Sequence, residues 1–544
     1  MTDTWTRRPG RARRLAAAAG CLAVLIAATP PAAAAAAAGA PTGTAAGLPT
    51  GTAAGAPTGT AEPRVASADD LAAGESYLRA YMDRIKAPGL AYAVIRGDEV
   101  IRRGTWGVDG EGRPVTARTP FVLGSTSKSF TASAVTQLVE AGRVDLDAAA
   151  STYLPWLRLG GADTAPAVTV RQLLTHTSGL PQVWSTGLTD RYDNSPGALA
   201  RSVRDLATLR PTAPAGRAHE YSDANYMILG ALVESVTGES FGAYLRRHLL
   251  DPLRMTHSAA TADEARVIGV PAGHRYYFGR PQRFAAPFDT AGVPYGFLAA
   301  GLDDLSHYAM AQLNGGRYGD TRILRPESTT QMQTGAVDTG HGTYGFGWRN
   351  STLDGVGVPV VWHAGATPNF FTHVVLAPGS GLAVVLMTNV YGLTMDAPIS
   401  AGAFNLVRIL HGGQAADAPE DPTHDWVLAG LLGIAAVLLA AVLRAGILLV
   451  RPRRGSGRRR SRGRTIVVTT AWVGMSAAVA AAAAWQVPAF WEGAGLAKVR
   501  LWEPDVGDSI SAVIVLSAAL ALARLGLGVH ALYRPGRVRE QRPG

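Results

Sequence analysis

The chain has 544 residues, only 17% of them charged, and a slightly positive mean hydropathy, which argues against one small, wholly soluble domain. Its net charge of +10 is not a nucleic-acid footprint: residues 1–14, 451–464 and 534–544 carry +4, +8 and +3, and the remainder carries −5. One cysteine, Cys21, excludes a disulfide framework within the chain.

Residues 1–38 read as a secretory signal. An arginine-rich start leads into apolar Leu15–Ala28 and then an Ala/Pro tract with many small-residue cleavage points. An uncleaved anchor is the alternative. "AAGC" before Cys21 resembles a lipidation box, but the apolar run continues past it. Residues 39–68 contain three copies of an eight-residue unit, "GAPTGTAA", "GLPTGTAA" and "GAPTGTAE". So little apolar surface cannot bury a core, so a disordered tether is expected.

Residues 69–415 have globular character. A helix is expected near Leu71–Arg84. Two β-rich runs in "GLAYAVIRGDEVIRRGTWG" flank Gly97-Asp98, a hairpin signal. At the far end, "FFTHVVLAPGSGLAVVLMTN" predicts a second hairpin, and "DAPISAGAFNLVRIL" a closing helix. Strands at both ends and a helical, loop-rich middle predict an α/β (α+β) fold: one antiparallel sheet built from both chain ends, with an inserted helical subdomain.

Three apolar runs follow, 426–450, 465–487 and 510–533, each long enough to span a bilayer. The loop 451–464 and the tail 534–544 are arginine-rich, whereas the loop 488–509 holds Lys498 and Arg500 against Glu492, Glu503, Asp505 and Asp508. The positive-inside rule puts the first loop and the tail in the cytoplasm, and the globular region outside. That agrees independently with the signal segment. Arg444, Arg524 and His530 all lie in the cytoplasmic half, where snorkelling is the simpler reading and a functional charge the other.

The chemistry concentrates in four short stretches. "GSTSKSF" (124–130) follows an extended approach and opens a helical pattern. Ser125 therefore sits at a helix start, with Lys128 one turn on along the same face. A serine hydroxyl needs a neighbouring base to become a nucleophile. A buried lysine can serve, because desolvation favours its neutral form. The bland alternative is a capped helix start. Further on come "LLTHTSGL" (173–180), "YSDANYMILGALVESVTG" (221–238) and "WHAGATPNF" (362–370).

Those four stretches, in that order, resemble the serine β-lactamase/DD-peptidase superfamily, in its class C-like branch of D-Ala-D-Ala carboxypeptidases and related esterases. The resemblance spans about 71–411 and implies the β-lactamase/transpeptidase-like fold. It implies Ser125 as the acylated nucleophile, Lys128 as its base partner and Tyr221 as proton shuttle. It also implies His363-Ala364-Gly365 as the third motif, with an oxyanion hole from the backbone N–H groups of Ser125 and Ala366. His363 would then face a substrate carboxylate, and Gly365 would line the same strand.

One position departs from the pattern. Asp223 stands where the family has asparagine. A carboxylate can brace Lys128 but cannot donate to a substrate carbonyl. General-base work would then shift toward Tyr221, and Asn225 could supply the missing donor only if this loop is not helical. Asp223 as a helix cap is the competing reading. His176 is expected to be a structural histidine bonding its loop. Residues 342–348 and 299–313 are expected to be scaffold. No metal site or phosphate loop is expected, and no cofactor. The expected partners are a cell-wall peptide or small ester or amide, and the bilayer.

The functional expectation is an exported, membrane-anchored serine hydrolase acting on peptides that end in D-amino acids. An esterase or peptide acyltransferase/cyclase on the same scaffold is the alternative within enzymes. A non-catalytic penicillin-binding-type receptor is the alternative outside them.

Overall fold

The computed structural model describes residues 66–161, 167–183, 186–418, 421–451, 461–489 and 494–533. The signal segment, nearly all of the repeat tether, most of the basic loop and the basic tail lie outside the described residues. The described chain divides into two compact units: residues 66–422 with 501–504, and residues 423–500 with 505–533.

The first unit is built on an eight-stranded antiparallel sheet. Its strands are β1 (Gly89–Arg96), β2 (Glu99–Gly107), β3 (Val337–Asp338), β4 (Thr343–Tyr344), β5 (Arg349–Leu353), β6 (Val358–Thr367), β7 (Phe370–Ala377) and β8 (Leu382–Thr388), in spatial order β3-β4-β5-β6-β7-β8-β1-β2. The N-terminal hairpin β1–β2 joins the C-terminal strands by pairing β1 with β8, from Leu90↔Thr388 to Arg96↔Leu382. Both chain ends therefore share one sheet, as the sequence predicts. Gly97 turns the first hairpin and Gly381 the second, each at positive φ.

Strands β7 and β8 are buried along their whole length, because helices cover both faces of the sheet. One cover pairs α1 (Ala68–Arg84) with the closing helix α5 (Asp396–Leu410). A capping box between Ser67 and Asp70 starts α1. The other cover includes α4 (Leu302–Leu313). The inserted helical region contributes α2 (Ser127–Glu140) and α3 (Asp223–Thr237), which pack against each other. Phe130 of α2 stacks on Tyr308 of α4 at 3.7 Å between ring centroids. The base of α2, where Ser125 sits, is thereby fixed against the sheet.

The second unit holds α6 (Thr423–Val450), α7 (Arg462–Ala489) and α8 (Pro504–Leu532). Each is long and apolar enough to cross a membrane, and no more than 22% of any apolar window is buried. Outward-facing Leu443, Val467 and Leu522 are what a lipid-facing surface presents. A short helix, Leu496–Trp502, precedes α8; the sequence reading left this stretch as a loop. Arg524 lies with its guanidinium 3.9 Å from the Trp472 ring centroid. It is therefore stacked on an aromatic neighbour, which snorkelling alone does not describe.

Candidate active site

Ser125 lies in a single 3-10 turn, Gly124–Thr126, that runs directly into α2. Two glycines bring this turn against β6. Gly124 has φ 55°, and a Cβ there would fall 2.3 Å from Ala366 N. A Cβ on Gly365 would fall 2.0 Å from Leu123 O and 2.5 Å from Ser125 N. Only bare backbone fits this seam. It brings the backbone of Gly124 and Ser125 against that of Gly365 and Ala366.

Lys128 is fully buried, and its Nζ meets three acceptors: Ser125 Oγ at 3.0 Å, Asp223 Oδ1 at 2.6 Å and Tyr295 O at 2.8 Å. Three acceptors use the three hydrogens of an ammonium. Asp223 is the first residue of α3, and Ser222 holds the cap position. The carboxylate turns to Lys128 and not to the helix N–H groups, so the capping reading is not what the side chain does. Its N–H donates to Gln182 Oε1 at 3.1 Å. Gln182 Oε1 also accepts from Val183 N–H at 2.8 Å. With its oxygen taken by two donors, the Gln182 amide nitrogen has no partner among the described residues.

The Tyr221 ring lies under Lys128, with Nζ 4.8 Å from its centroid. Burial pushes its phenol well up, and the Asp223 charge adds to this. Arg349 and the Ser125 hydroxyl pull the other way. The hydroxyl stands near Ser125 without full hydrogen-bond geometry. This environment favours the protonated phenol, so general-base work at Tyr221 has to run through the neutral hydroxyl.

Asn225 does not supply the missing donor. It lies inside α3, fully buried, with Oδ1 accepting from Ser178 Oγ at 2.6 Å and Nδ2 meeting His176 Nδ1 at 2.9 Å. The condition for a substrate-facing Asn225, a non-helical loop, is not met. His176 accepts from Ser222 N–H at 3.1 Å and holds the start of α3 to the "THTSGL" loop, at φ 56°. Burial, then His219 and Lys128, keep it neutral.

His363 is also fully buried. Its Nδ1 donates to Ala364 O at 2.7 Å, and its Nε2 accepts from Tyr344 OH at 3.2 Å. Burial, then the charges of Arg349 and Lys128, hold its imidazole well below the usual range. A neutral, enclosed ring with both nitrogens occupied cannot grip a carboxylate, so that expectation for His363 is corrected.

Arg349 offers the charge that His363 lacks. It opens β5 and is 8% exposed. Its Cζ lies 5.2 Å from the Tyr221 ring centroid and 5.5 Å from those of Tyr344 and Trp362. Its Nε is buried without a hydrogen-bond partner, and no carboxylate pairs with its guanidinium among the described residues. The scaffold strand expected over 342–348 stops one residue short of this arginine. An arginine amid "TYGFGWRN" was the available signal. Tyr295 and Gln182 carried none, because a backbone carbonyl and a loop glutamine are placed only by folding.

Residues 75–403, more than half of the chain, match the model of the beta-lactamase family. The chain belongs to that family, within the serine β-lactamase/transpeptidase superfamily, and is a serine hydrolase. It is 34% identical over 320 residues to Penicillin-binding protein 4 of Amycolatopsis lactamdurans, covering 56% of this chain and 81% of that protein. It is 24% identical over 307 residues to Protein flp of Staphylococcus aureus, of which it spans 59%. Among solved structures it is similar to the octameric penicillin-binding protein homologue from Pyrococcus abyssi. The TM-score there is 0.55 at 25% identity, covering 66% of this chain and 81% of the other.

Proposed function

We propose that the protein is an exported, membrane-anchored carboxypeptidase-like hydrolase that forms an acyl-enzyme on Ser125. The observation that carries this reading is a lysine-bonded serine and a buried arginine, in no ion pair among the described residues, on either side of the Tyr221 ring. The first suits acyl transfer. The second suits a substrate that ends in a carboxylate, because an unpaired buried cation is stabilised when an anion arrives. Peptides ending in D-alanine are the substrate class of the family resemblance, and this chain's likeness to penicillin-binding proteins supports it.

In this reading Ser125 Oγ attacks the scissile carbonyl carbon. Its proton passes to the neutral Tyr221 hydroxyl as Tyr221 gives its own to the departing amine nitrogen and the C–N bond breaks, while the Lys128 ammonium steadies the charge that develops on Oγ. The oxyanion is held by the N–H groups of Ser125 and Ala366. Water then adds to the acyl ester, the acid departs and Ser125 regains its proton. A neutral Tyr221 can accept one proton while giving another, which suits a relay. Asp223 removes the amide donor of the usual motif, and that favours peptide or ester turnover over β-lactam hydrolysis. The signal segment, the basic loop and the basic tail support an extracytoplasmic catalytic domain anchored by α6, α7 and α8.

A fluorescent β-lactam should label wild-type protein and not Ser125→Ala, and D-alanine should be released from a D-Ala-D-Ala peptide. Persistent label with no turnover of that peptide or of a p-nitrophenyl ester would favour the receptor reading. Absence of label and of turnover would remove the site.

A further inference from the structure

The Asp223 carboxylate has one oxygen to spare. Lys128 occupies Oδ1, and no protein donor among the described residues meets Oδ2. The side chain is 12% exposed while its lysine partner is fully buried. A single lysine nitrogen separates this carboxylate from Ser125 Oγ. The charged and titratable groups that face it are Lys128 from α2, Tyr221 beside α3, and Tyr295. Histidines 176 and 363 of the site are held neutral. Among the described residues around Ser125, then, Asp223 Oδ2 is an anionic acceptor without a protein donor and Arg349 a cation without an ion pair.

An asparagine at this position would donate to the carbonyl of an acylated substrate. A carboxylate accepts only. Facing a carbonyl oxygen it would leave two acceptors opposed, with neither satisfied. Facing an ammonium it would make a charge-assisted hydrogen bond. We propose that Asp223 selects substrates whose acyl half carries a free amino group, so that the enzyme prefers unblocked dipeptides, bound between Asp223 at the amino end and Arg349 at the carboxylate end. This rests on Ser125 as the acylated residue and sharpens which peptides reach it. An ammonium at Oδ2 also shares the carboxylate with Lys128, which weakens the hold on the lysine that bonds Ser125 Oγ. Asp223 thus acts on specificity directly and on the lysine as a positioning residue.

The test compares D-alanyl-D-alanine with N-acetyl-D-alanyl-D-alanine on the purified full chain in detergent. The free-amine peptide should be favoured in kcat/KM by at least about tenfold, the worth of one hydrogen bond to a charged group. Its KM should rise as pH passes the α-amino range of roughly 7.7–8.0, while KM for the acetylated peptide stays flat. Asp223→Asn should reverse the preference. Should Asp223→Asn turn over neither peptide, protection of Ser125 from a fluorophosphonate probe replaces turnover. Loss of protection by the free-amine peptide alone supports the proposal, and equal loss by both overturns it. A wild-type ratio at or below one overturns it. So does a preference for the acetylated peptide that disappears in Gln182→Leu, which would give the role to the free Gln182 amide. No labelling of Ser125 and no turnover of either peptide would remove the underlying acyl-enzyme reading as well.

Discussion

Two ends of one site each bury a cation, and the fold treats them differently. Lys128 meets an acid, a hydroxyl and a carbonyl, and every hydrogen has a partner. Arg349, on the strand side, has three aromatic rings around it, a partnerless Nε and, among the described residues, no carboxylate in an ion pair with it. Burying a charge without a partner is costly. One cation is fully satisfied and its neighbour is left short, which an arriving anion would relieve. In the proposed function the first end serves chemistry and the second a ligand.

Removing the paired end should have the largest effect. Lys128→Met should lower turnover at least about 10³-fold. It should also destabilise the domain by up to about 3 kcal/mol in thermal unfolding, because Asp223 is left without its cation. Unchanged stability would mean that the carboxylate finds water and that the pair is loosely held. Closing the seam comes next. Gly365→Ala should separate strand β6 from the Ser125 turn and cost about 10²–10³ in acylation rate, read with the fluorophosphonate probe.

Arg349 breaks the comparison from the other side. Arg349→Met should raise KM about 10–100-fold for a carboxylate-ended peptide and leave the matching peptide amide almost unchanged. Stability should hold or rise, since an unpaired buried charge is gone. A stability loss without a KM effect would make Arg349 a structural cation held by its rings.

The smallest effect concerns a buried acid that can escape its charge, as an arginine cannot. Asp289 is 2% exposed, with Oδ1 accepting from Gly292 N–H and Oδ2 from Tyr192 N–H. Burial, with the Asp190 charge adding to it, pushes its carboxyl up to about 6 against the N–H groups of Tyr192, Gly292 and Arg191. Its folded pKa lies above its unfolded one, so the protonated form favours the fold. The stability is present below about pH 4 and is lost as pH rises to about 6. Asp289→Asn should lose that slope, so that the stability difference between wild type and variant falls from pH 4 to 6 in urea unfolding followed from pH 4 to 7. The difference cancels His219, depressed to about 4 by burial and then Arg349, whose slope runs the opposite way.

Much of this protein is determined locally. The periods of apolar residues predict both hairpins, the closing helix and the three long helices, because amphipathic pattern and span length are properties of short stretches. Ser125 and Lys128 are legible together because one helical turn separates them. His176 could be read as a loop-bonding residue, since a histidine amid Thr and Ser has many local partners. Tertiary structure decided what lies across the site. It turned Asp223 to a lysine 95 residues away, enclosed Asn225 and His363, and set Arg349 against Tyr221. None of these pairings has a sequence period. Each follows from α3 packing on α2 and from β5 and β6 passing beside both, which fixes where a charge is satisfied and where it is left to meet a ligand.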